Sequence, residues 1–182
     1  MKYLLFLIII FSISFSCGNS QEKSSEWDVV EYNFKKGSVP PVFQYKYSVI
    51  INRDKSGVLR YSFNISSPEN LEYTFSISDE QIDSLNVMLT DSRILDEEIP
   101  ELPNEKQPDG GPMRTVRVVV PNPDPNLDQP PKTYSSPYFP EESYEENLNK
   151  LYIFIHKLVP EQHWSDAEAK RNKYINENRY QN

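Results

Sequence analysis

From Phe43 to Ile77 the chain alternates apolar and polar side chains with a period of two. Phe43, Tyr45, Tyr47, Val49 and Ile51 fall on one side, with Gln44, Lys46, Ser48 and Asn52 mostly on the other. Successive strand residues point to opposite faces, so this pattern predicts a half-buried strand. Leu59, Tyr61, Phe63 and Ile65 repeat it after Arg53-Asp-Lys-Ser-Gly57, whose glycine is expected to supply the positive φ of a short hairpin. Leu71, Tyr73, Phe75 and Ile77 repeat it again beyond the turn Ser66-Ser-Pro-Glu-Asn70. Three such strands form an antiparallel meander whose apolar face needs a cover.

The cover begins where the period changes. Ser78-Asp-Glu-Gln81 reads as a capping box, after which Ile82, Leu85, Met88 and Leu89 recur on one helical stripe. Beyond Leu95 periodicity fails, and eleven of the fifteen prolines lie between Pro100 and Pro140. Within that stretch Val116, Val118 and Val120 alternate with Thr115, Arg117 and Val119, predicting a fourth strand, and Lys132 to Ser135 suggests a short fifth. From Glu141 to Val159 a broad stripe of Tyr144, Leu148, Leu151, Tyr152, Ile155, Leu158 and Val159 marks the main core helix, with a second capping box expected at Ser143-Tyr-Glu-Glu146. Pro160 ends it, and Ser165-Asp-Ala-Glu168 is expected to open a short polar helix to about Tyr180. The fold class expected is α+β, an antiparallel meander of about four to five strands with helices packed on one face.

The N-terminus follows a different rule. Lys2 precedes the apolar run Leu4 to Phe15, which closes with Ser16 and Cys17 and gives way to polar residues. A basic start, an apolar middle and a small-residue exit mark an export signal. The run is shorter than the about 20 apolar residues that span a bilayer. Cys17 is the only cysteine, so it has no partner for a disulfide. The chain therefore divides into a signal peptide (1–16), a polar tether (17–41) that adds an edge segment where Trp27, Val29, Val30, Tyr32 and Phe34 begin, and one domain (42–182) containing the proline-rich region 96–140. The run Ser14-Phe-Ser-Cys17 resembles the lipobox of bacterial lipoproteins, although Ser14 and Phe15 depart from the usual residues. The resemblance implies that Cys17 becomes the mature N-terminus and carries a diacylglyceryl group and a further acyl chain. Two or more chains anchor a protein stably where one does not.

Charge narrows the partners. Removing residues 1–16 takes away Lys2 alone, leaving 27 acids against 18 bases, a formal charge of −9. That balance argues against nucleic acid and anionic headgroups as partners of the folded part. Glu22 and Glu26 near Cys17 suit a sorting signal or a solvated linker equally.

Candidate chemistry is sparse. The five glycines form no G-x-S-x-G, P-loop or G-x-G-x-x-G. His156 and His163 match no zinc-ligand spacing and are expected to play structural roles. Asn122-Pro-Asp124-Pro-Asn126-Leu-Asp128 places oxygens at every second position, as a calcium loop does. It lacks the sixth-position glycine and closing glutamate, so a solvated loop is the expectation. Asp96-Glu-Glu98, Glu101 and Glu105 read as surface. Most of the meander tyrosines sit on its apolar face and are expected in the core rather than on a binding surface. No cofactor is expected.

From Tyr45-Lys-Tyr-Ser-Val-Ile-Ile through Leu158-Val-Pro-Glu-Gln-His-Trp164 the layout looks like that of a group of small bacterial lipoproteins without known activity, a resemblance that carries no catalytic residue. The reading is a membrane-anchored, non-enzymatic binding module of the cell envelope, held through Cys17 and facing the periplasm or the cell surface, with an envelope protein or glycan as partner. A glycan hydrolase using paired carboxylates about 5 to 9.5 Å apart and a structural or inhibitory module are the alternatives.

Overall fold

The computed structural model describes residues 27–63, 71–122 and 129–178. They form an α+β fold built on one antiparallel sheet of six strands, two or one more than the alternation predicts. In chain order these are β1 (Val29–Lys35), β2 (Lys46–Asn52), β3 (Ser56–Ser62), β4 (Leu71–Ser76), β5 (Met113–Val120) and β6 (Lys132–Ser135). Their spatial order is β4-β3-β2-β1-β5-β6.

The extra strand is β1, and its position corrects the tether. Residues 29–35 are no edge segment: β1 lies inside the sheet, pairing Tyr32 with Val49 of β2 on one side and with Val116 of β5 on the other. Val30 and Tyr32 are buried, and so is Trp27 just before the strand, whose indole N–H donates to Asn86 Oδ1 at 2.7 Å. The fold therefore includes Trp27 and β1, ahead of residue 42.

Three helices, α1 (Asp79–Asp91), α2 (Glu142–Leu158) and α3 (Glu161–Asn178), cover one face. Val30, Val49, Ile51, Leu59, Val116 and Val118 from the sheet share a core with Leu85, Leu89, Leu148, Leu151, Ile155 and Ala167 from the helices. The Ser78 capping box forms as expected, with the Gln81 amide donating to Ser78 Oγ and the Ser78 amide to Gln81 Oε1.

The other two boxes do not form. Ser143 and Ser165 both lie inside their helices, which start earlier, after Pro140-Glu141 and directly after Pro160. First-turn hydrogen bonds close there, from the Tyr144 amide to the Glu141 carbonyl and from the His163 amide to the Pro160 carbonyl. Pro140 and Pro160 stand just ahead of the first helical residues, Glu142 and Glu161, so each start is marked by a proline outside the helix and not by a serine side chain.

The β2–β3 hairpin is also corrected. Lys55, at φ 70°, takes the left-handed position, and Gly57 belongs to β3. There the aromatic ring of Phe75 on β4 lies where a Cβ of Gly57 would stand.

Candidate functional site

With the helices on one face, no helix among the described residues covers the other face of the sheet. It presents rows of side chains that run across the strands. One row is Val58, Ile50, Glu31 and Arg117; the next is Glu72, Arg60, Ser48, Asn33 and Thr115; the last holds Ser62, Lys46, Lys35 and Met113. Two of its cations are neutralised across strands. Arg117 reaches Glu31 at 2.7 Å, and Arg60 donates through Nε to Glu72 at 2.9 Å.

The last row is different. β1 and β2 place Lys35 directly opposite Lys46, and neither forms an ion pair with a described residue. These lysines and Arg60 border a groove of about 370 Å³ whose floor is Asn33, Ser48 and Thr115. Tyr138, in the loop after β6, reaches into its rim with 53% of its surface exposed. Among the described residues, no carboxylate lines the groove. Just beyond Lys35 and Met113 the backbone approaches closely, the carbonyl of Gly111 occupying the place a Cβ of Gly37 would need.

At the same end, on the helix side, a smaller cleft of about 300 Å³ lies between the sheet and α2. Phe34, Tyr45 and Tyr47 form its aromatic wall, with Phe34 and Tyr47 stacked at 4.7 Å, and Arg114 and Lys157 supply charge. Arg114 donates through Nη1 to Asn149 at 3.3 Å, while its buried Nε has no partner among the described residues. Burial pushes the phenols of Tyr32 and Tyr47 up, and that of Tyr152 up to about 12, so all three stay neutral and act as packing and hydrogen-bonding groups.

The residues singled out by sequence fall as follows. Cys17, Glu22, Glu26 and the expected turn from Ser66 to Asn70 lie outside the described residues, as do Pro123 to Asp128 of the acidic stretch. The histidines do not meet. His156 stacks on Trp164 at 4.2 Å and His163 on Tyr73 at 5.1 Å, and no group of three potential metal ligands occurs among the described residues. Burial lowers the pKa of His156, so its ring is uncharged at neutral pH. Among the acids of the 96–105 stretch, Glu97 is engaged by Arg93 at 2.6 Å and by the hydroxyl of Tyr144 at 2.9 Å. Asp96, Glu98 and Glu101 are exposed around shallow depressions beside β6.

Sequence reasoning missed the paired lysines, because a reading that leaves residues 29–35 in a tether cannot place Lys35 against Lys46. The signal was present in Val29-Val-Glu-Tyr-Asn-Phe-Lys35, whose Val30, Tyr32 and Phe34 alternate as strand residues do.

No family model matches the chain, and no curated protein does. None of the helices among the described residues is long and apolar enough to cross a membrane.

Proposed function

We propose that this protein is a bacterial lipoprotein, anchored by acyl chains on Cys17, whose folded part is a non-enzymatic binding module of the cell envelope. The observation that carries the reading is the N-terminal sequence, a basic residue and an apolar run too short to span a bilayer, ending at the chain's single cysteine. The fold supports it with a short connection: Trp27 is locked into the core, so the chain from Cys17 reaches at most about 35 Å before the domain begins. A domain so tethered stays beside the membrane.

The binding part of the reading draws on the asymmetry of the sheet. The chain enters at the Val29 end of β1, whereas both clefts lie at the Lys35 end, a strand length of about 20 Å away. The end distant from the proposed anchor thus carries both of these clefts.

Metabolic labelling with a radioactive fatty acid tests the anchor. Label should enter the wild-type protein and be absent from Cys17→Ala, which should also leave the membrane fraction. Equal labelling of both, or of neither, overturns the proposal.

A further inference from the structure

We propose that the groove on the open face binds an acidic saccharide, a sugar carrying a carboxylate or phosphate. This rests on the reading of the chain as an envelope binding module and names the class of its ligand.

Like charges directly opposite one another on a strand pair are destabilising, yet β1 and β2 set Lys35 against Lys46 with no carboxylate of the lining to separate them. The rest of the face behaves otherwise, since Arg60 and Arg117 each have a cross-strand glutamate. The chain has 27 acids for 19 bases, so two lysines without an ion-pair partner, in a groove with no acid among its described lining residues, are not what its composition would supply by default.

The remaining lining fits a sugar. Ammonium groups act as point charges toward a carboxylate or phosphate. The hydroxyls of Ser48 and Thr115 both donate and accept, and the Asn33 amide does the same through two atoms, which matches the hydroxyls of a saccharide. Tyr138 offers a half-exposed ring against which the apolar face of a sugar can lie. An acidic peptide would find its backbone partners at the free edges of β4 and β6, whereas the groove floor consists of interior strands whose backbone groups are already paired.

Titration calorimetry on the full-length protein in detergent tests this with four probes: a galacturonic acid tetrasaccharide, glucose 6-phosphate, a neutral galactose tetrasaccharide and a glutamate octapeptide. At least one acidic sugar should bind, with an affinity that falls as salt is raised, and the neutral sugar and the peptide should not. The Lys35→Ala/Lys46→Ala variant should weaken binding at least tenfold while melting no lower than wild type, because the substitution removes a repulsion. Lys46→Arg should retain binding, and Tyr138→Ala should weaken it several-fold.

Absence of binding by both acidic sugars overturns the proposal. So does equal binding of the peptide, or binding that survives loss of both lysines. Phosphatidylglycerol vesicles added as competitor should not displace the sugar; displacement would assign the groove to lipid headgroups and overturn the glycan. This titration and the labelling of Cys17 fail independently, since a bare thiol leaves the groove intact and an empty groove leaves the anchor.

Discussion

Gly57 shows how a residue's type can be right for a reason other than the obvious one. Beside a turn it suggests positive φ, but its backbone is that of a strand, and what it provides is space for the Phe75 ring. Gly57→Ala should therefore destabilise the protein by about 1–3 kcal/mol, the usual cost of forcing extra volume into a packed site. Urea unfolding measures it, and an unchanged midpoint would mean that the ring moves aside freely. His156 makes a second residue-scale prediction. Burial among Trp164 and Tyr47 lowers its folded pKa below the ordinary 6.5, against the raising influence of Glu161 and Glu168 and together with the lowering influence of Arg114. The native state then favours the neutral ring, so its stabilisation is complete above pH 6.5 and is lost as pH falls from there through the lower folded value. Unfolding midpoints measured from pH 7.5 down to about 5, above the range where carboxylates titrate, should decline in the wild type and stay level in His156→Gln.

Among the elements, those with a sustained period were legible and those defined by their ends were not. The meander alternates over many residues, and Leu148, Leu151, Ile155 and Leu158 repeat a helical stripe for about three turns, so both could be placed from the chain alone. β1 was hidden because polar residues precede it and Gly37 to Pro41 follow it, and because its interior position depends on β5, which is far away in sequence. Capping motifs were reliable only without a competing signal. Ser78 caps α1, while the prolines before α2 and α3 move those starts upstream of Ser143 and Ser165. Loss of a working cap costs about 1 kcal/mol and a surface change typically less than about 0.5. Ser78→Ala should thus lower stability by about 1 kcal/mol and Ser143→Ala by much less. Thermal unfolding of the pair would check this, and equal losses would contradict the assigned helix starts.

At the scale of the whole molecule, the candidate site was the least legible part, for a physical reason. A groove on a sheet face is made by residues that share a row across strands, and Lys35, Lys46, Arg60, Thr115 and Tyr138 belong to five separate segments. Their meeting depends on strand order, which periodicity does not encode. The proposed anchor is the reverse case, being contained in the first seventeen residues and read without any fold. Together they make up the proposal of a domain attached ahead of β1 and grooved at the far end of that strand. The attachment is the central claim, and mass spectrometry of the intact protein extracted from membranes with detergent tests it most directly. The account predicts a chain that starts at Cys17 and is heavier than residues 17–182 by the mass of its acyl groups; a chain that still carries Met1, or one that ends in an unmodified thiol, would contradict it.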